Sequence, residues 1–121
     1  MKTFILINAI VEIGAGLVFF LFPRFFPELK GASNTADAQA NMFGGAIISL
    51  GLFALLVWQN YDDGGALTNV FLLTFMAFHT LIAIAAFKGY LRGGFFNPAV
   101  AILHTVLAAG TVYFYMQMGV S

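Results

Sequence analysis

Four apolar runs, Phe4 to Phe22, Met42 to Trp58, Val70 to Phe87 and Pro98 to Met116, occupy most of this 121-residue chain. A bilayer hydrocarbon core about 30 Å thick is crossed by about 20 residues of helix rising about 1.5 Å each. Each run has that length or nearly so. In lipid every backbone N–H and C=O must be paired within the protein, and four strands are too few to close a barrel, so all four runs are expected to be helices. Composition points the same way: 61% of residues are hydrophobic and 8% charged, against about 45–50% and about 25% in soluble domains. The expected fold class is all-α, an integral membrane four-helix bundle with short loops. It forms one transmembrane domain, 1–121, with helices at about 4–22, 35–58, 67–87 and 98–117.

The same composition excludes several functions. Formal net charge is zero, which gives a nucleic-acid partner no electrostatic footprint. The chain has no cysteine, so disulfides, thiol catalysis, iron–sulfur clusters and cysteine zinc sites are all ruled out. Met1 and Lys2 before an apolar run imitate a signal peptide, but Glu12 interrupts the run, and the segment reads as a retained helix.

Punctuation between the runs fits four spans. Pro23 and Pro27 stop the first helix, and Phe25 and Phe26 suit the headgroup boundary. Ser33 or Asn34 can cap the second helix, with Asp37 near the positive end of its dipole. "QNYDDGG" follows the interfacial Trp58 as a polar turn, and Asn97 with Pro98 forms a start signal for the fourth helix. One set of termini and turns carries Lys2 alone, the other Arg24, Lys30, Lys88 and Arg92. The positive-inside rule then places the first and third turns in the cytoplasm. Both termini are expected on the non-cytoplasmic side, in a bacterial inner membrane.

Polar and small residues recur along each run at steps of three or four: Asn8, Glu12 and Ala15/Gly16; Asn41, Gly45 and Ser49; Met76, His79, Ala83 and Ala86; Ala101, His104, Ala108 and Thr111. Small residues at this spacing let helix backbones approach closely in lipid, so Gly44, Gly45 and Gly51 read as packing positions. Thr74, Thr80 and Thr105 can bond their own helix backbone.

Glu12 stands apart, with no Lys or Arg within nine residues of it. An acid near the centre of a span costs about 2.5–3.5 kcal/mol on insertion scales. Counted from one membrane face, Glu12 lies about 12 Å deep in the first span and His79 about 13 Å deep in the third. His79 is therefore the expected partner, with Asn41 a neighbour, while His104 enters from the opposite face and is expected about a turn away. Glu12 is held either as a neutral acid donating a hydrogen bond to His79, Asn41 or a carbonyl, or as a carboxylate beside a protonated His79. The candidate intramembrane cluster is Asn8, Glu12, Asn41, His79 and His104. No catalytic residue is assigned. No His-x-x-x-His spacing, phosphate loop or Ser/His/Asp grouping is present. Glu12, His79 and His104 have the ligand types of a Glu-His-His metal site, and the histidines could ligate haem or a chlorophyll magnesium. "FHTLIAIAAF" and "LHTVLAAGTVYF" share His-Thr before aliphatic residues, as if one element were used twice in opposite directions.

"INAIVEIGAGLVFFLFP", followed by "ANMFGGAIISLGLFALLVW" and a third span with a histidine, resembles the small four-helix bacterial membrane proteins that include DoxX-like and uncharacterised families. In that group an arginine often stands where this chain has Asn41. The resemblance implies a four-helix bundle of mostly unassigned function, with some members accompanying quinone-linked oxidoreductase complexes.

Three functions follow, in order. The first is a non-enzymatic accessory or structural subunit in a larger, redox-type membrane complex or a homo-oligomer. The second is an oligomeric small-molecule or proton carrier using Glu12 and His79. The third is a membrane protein that binds a cofactor, quinone or lipid, with Glu12, His79 and His104 as acid, base or ligands. The expected partners are membrane lipid and other membrane subunits or further copies of the chain.

Overall fold

The fold was analysed in a computed structural model that describes residues 1–26, 29–31, 33–91 and 98–118. It is all-α: α1 (Lys2–Leu21), a short 3-10 turn (Pro23–Phe25), α2 (Asn34–Gln59), α3 (Ala66–Leu91) and α4 (Pro98–Met118), with no strand among the described residues. All four helices are long and apolar enough to cross a membrane. The chain is therefore a multi-pass membrane protein, as its apolar runs require. Observed boundaries lie within two residues of those expected, except that α3 continues one turn past Phe87 to Leu91. Pro98 opens α4 as its sequence predicts. Pro27, Arg92 and the proposed cap Asn97 fall outside the described residues.

Two compact units make up the chain, Met1–Asn60 and Tyr61–Ser121. The first is a hairpin of α1 and α2. Its helices meet through glycine: a Cβ on Gly16 would lie 2.7 Å from Ile48 Cγ1, and one on Gly51 would lie 2.6 Å from Ile13 Cγ1 and 3.1 Å from the Ala9 carbonyl oxygen. Residues later in α1 thus face residues earlier in α2, so the helices run antiparallel. Backbones this close gain dispersion contacts that lipid cannot supply, which holds helices together where hydrophobic drive is absent. The expected stripe on α2 is corrected by this packing. Its buried face is Ala40, Gly44, Ile47, Gly51, Ala54 and Val57, whereas Gly45 is only partly covered and Ser49 is exposed.

The hairpin ends are closed locally. Ser33 caps α2, its Oγ accepting from the Ala36 N–H at 3.3 Å. Arg24 reaches back from the 3-10 turn to Asp37 in the first turn of α2, with Nη2 2.6 Å and Nε 2.9 Å from Oδ2. At the other end the Lys2 ammonium sits 5.7 Å from the centroid of the Trp58 ring, a cation–π contact joining the start of α1 to the end of α2.

The second unit is a hairpin of α3 and α4. Gly64, with φ +77°, turns the chain into α3 in a left-handed conformation that suits glycine. Thr68 locks the turn by donating from Oγ1 to the Asp62 carbonyl at 2.8 Å. Phe71, Leu72 and Phe75 are fully buried on α3, the Phe71 and Phe75 rings stacking with centroids 4.4 Å apart. On α4 only Leu107 and Thr111 are buried.

Candidate functional site

The most specific polar arrangement lies in the α3–α4 hairpin. His79 Nδ1 and His104 Nδ1 are 2.8 Å apart, with ring centroids 5.1 Å apart. His79 is fully buried and His104 half-buried. The local sequence explains the placement. Phe71, Phe75 and His79 follow at i, i+4 and i+8, one face of the helix, so the imidazole continues a column of buried rings. Phe75 meets His79 edge-on at 5.5 Å, and Phe78 lies against both imidazoles, 5.2 Å from His79 and 5.7 Å from His104. These aromatic rings wall the imidazole pair.

The geometry dictates the proton inventory. At 2.8 Å one Nδ1 must carry a hydrogen and the other must accept it, because two N–H groups or two lone pairs would repel. One ring is thus the Nδ1–H tautomer, or a cation, and the other accepts at Nδ1 and carries its hydrogen on Nε2. The contact holds one proton between the rings. A tetrahedral zinc bound to both Nδ1 atoms at its usual bond length would hold them about 3.3 Å apart. The observed separation fits a shared proton, and metal ligation by both Nδ1 atoms would need the rings to part.

This pairing corrects the expected position of His104, a turn away from His79. Counting inward from opposite faces of a core about 30 Å thick leaves the two rings about a turn apart, but α3 runs a turn further to Leu91. Pro98 therefore starts α4 beside the interior of α3, and Ala101 lines the same groove as Phe87 and Lys88. The offset brings His104 level with His79.

In the first unit, Glu12 is buried, 1% exposed, on a face of α1 shared with Asn8, Ala9 and Gly16. It stands eleventh among the 20 residues of α1, at mid-span. Asn8 donates from Nδ2 to the Phe4 carbonyl at 2.8 Å, a bond within its own helix. Asn41 is not beside Glu12. With its amide oriented to suit its surroundings, its nitrogen donates towards the carbonyls of Phe20 at 3.2 Å, Phe19 at 3.3 Å and Asp37 at 3.3 Å. Phe19 lies seven residues beyond Glu12, about 10 Å along α1. The physical reason is the end of α1, whose last carbonyls lack helical partners and take donors from α2 instead.

Thr105 behaves as expected, donating to the Ala101 carbonyl at 2.8 Å. Sequence reasoning missed Phe75 and Phe78 as walls of the imidazole pair, although the phenylalanine spacing ahead of His79 carried the signal. The fold and site together define an all-α, multi-pass membrane protein with a hydrogen-bonded imidazole pair between two of its helices. Comparison with protein families, with curated proteins and with solved structures finds no match.

Proposed function

We propose that this protein is a non-enzymatic membrane protein that holds and passes a proton within the bilayer at the His79–His104 pair. The observation that carries this reading is the 2.8 Å separation of the two Nδ1 atoms. An imidazole can take a proton on one nitrogen and release it from the other. A proton arriving at Nε2 of one ring can therefore cross the Nδ1–Nδ1 contact and leave from Nε2 of the other. Ionisable groups inside a membrane are costly and mark ion or proton pathways, and both histidines sit within spans.

Proton entry into liposomes under an imposed membrane potential tests this directly. Wild-type protein should raise the flux above protein-free vesicles, and His79→Gln and His104→Gln should return it to that baseline. Glutamine can hydrogen-bond but does not relay a proton. Unchanged flux in both variants, with helicity and detergent elution preserved, removes the reading. Glu12→Gln asks whether the mid-span acid of the first unit serves the same flux.

A second reading, an accessory subunit of a larger membrane complex, is favoured by α4. Ile102, Val106, Tyr113 and Met116 are each more than half exposed, leaving much of this helix to lipid or another chain. The resemblance to DoxX-like proteins supports it as well. Native mass spectrometry after mild extraction distinguishes the cases: a large co-purifying partner supports the subunit role, and a lone homo-oligomer with proton flux refutes it.

A further inference from the structure

Beside the imidazole pair, the α3–α4 hairpin carries a groove of about 370 Å³ lined by Ala83, Ile84, Phe87, Lys88, Leu91, Ala101 and Thr105. Its walls are apolar except for Lys88 and the Thr105 hydroxyl, and that hydroxyl is already bonded to the Ala101 carbonyl. From Leu91 to Ala83 the groove follows eight residues of α3, about 12 Å, most of the depth of one leaflet, which is about half of the 30 Å core. It opens sideways, since Ile84, Phe87 and Leu91 are each more than half exposed.

Charge selects the occupant. The acids of this unit, Asp62 and Asp63, belong to its opening turn, at the opposite end of α3 from Lys88. The groove thus has a basic rim at Lys88 and an apolar floor. We infer that it is a binding site for one anionic glycerophospholipid, with the phosphate at Lys88 and an acyl chain laid along Phe87, Ile84, Ala83 and Ala101. A zwitterionic lipid fills the floor equally well but brings its own cation to the rim. Basic pockets between membrane helices recognise anionic headgroups on this principle. The site goes beyond the proton reading, because a lipid can occupy it whether or not protons move.

The test is native mass spectrometry of the full chain in detergent, titrated with phosphatidylglycerol or with phosphatidylcholine of identical acyl chains. Wild-type protein should retain the anionic lipid about fivefold better, the worth of one basic side chain at an anionic surface. Lys88→Gln should bring phosphatidylglycerol down to the phosphatidylcholine level. Lys88 is exposed, so this change leaves the fold in place, as helicity and elution volume will verify. Ala101→Phe, which fills the floor, should lower retention of both lipids, and Lys30→Gln, in the other unit, should change neither. Equal retention of the two lipids by wild type overturns the site. So does wild-type behaviour of Lys88→Gln or Ala101→Phe, or a loss in Lys30→Gln as large as that in Lys88→Gln.

Discussion

Gly16 and Gly44 face one another so closely that a Cβ on Gly16 would lie 2.8 Å from the Gly44 carbonyl oxygen, and one on Gly44 would lie 2.7 Å from that of Gly16. Neither obstacle is a flexible side-chain tip; both are helix backbone. Gly44→Ala must therefore push α1 and α2 apart, and overpacking of this kind costs about 1–3 kcal/mol. Gly45 is the internal control, since a Cβ there meets nothing nearer than 3.9 Å, the edge of the Phe20 ring. Thermal unfolding in detergent should show Gly44→Ala and Gly16→Ala clearly destabilised and Gly45→Ala unchanged or slightly stabilised by its better helix propensity. Equal effects at Gly44 and Gly45 contradict the close-packed seam.

The imidazole pair makes a spectroscopic prediction. Ring nitrogen NMR of the protein with labelled histidine should find one ring protonated at Nδ1 and the other at Nε2, because the 2.8 Å contact admits one donor and one acceptor. Two Nε2–H rings are incompatible with it. His104→Ala removes the hydrogen bond at a buried site and should cost about 1–3 kcal/mol. His104→Asn places an amide where Nδ1 stood and should recover part of that loss.

Asn41 offers a test in which loss of hydrogen bonding and added charge can be separated by two substitutions. Its amide nitrogen faces three carbonyl oxygens, those of Phe19, Phe20 and Asp37. Asn41→Ala loses these donors and should cost about 0.5–1.5 kcal/mol. Asn41→Asp keeps the shape but turns an acceptor towards acceptors at the negative end of α1, so it should unfold at a lower temperature than Asn41→Ala. The reverse order in a melting series would show that the amide does not cap α1.

How much of this was legible in the sequence depends on which force sets each feature. The bilayer sets span length, so four helices could be read from four apolar runs, and Ser33 and Pro98 announced helix starts through backbone chemistry. The buried face of α2 could not be read with the same certainty. Lipid-facing and helix-facing positions are both apolar, and Gly44 and Gly45 are adjacent and chemically identical. Only contact with Gly16 and Phe19 distinguishes them. The histidines were identified as site residues, but their mutual contact depends on how far α3 overruns the start of α4, which hydropathy does not report. The depth count makes Asn41 a neighbour of the acid, whereas the nearer demand comes from the carbonyls ending α1.

The turn between the units supplies a pH prediction. The Tyr61 phenol is pushed above the ordinary tyrosine value of 10.0, first by partial burial, then by the hydrogen bond it donates to Asp63 and by the negative charges of Asp63 and Asp62. For an acid whose folded value is raised, the folded chain holds the proton longer than the unfolded chain. Stability is therefore flat below the unfolded value near pH 10 and falls as pH rises from there through the folded value. Alkaline absorbance titration, comparing wild type with Tyr61→Phe, should assign Tyr61 a later phenolate transition than a free tyrosine. Asp63→Asn removes both the acceptor charge and part of the repulsion, and should move that transition back towards the ordinary range. A Tyr61 that ionises at the ordinary value, or is indifferent to Asp63→Asn, would show that the turn does not hold the phenol against its acidic neighbours.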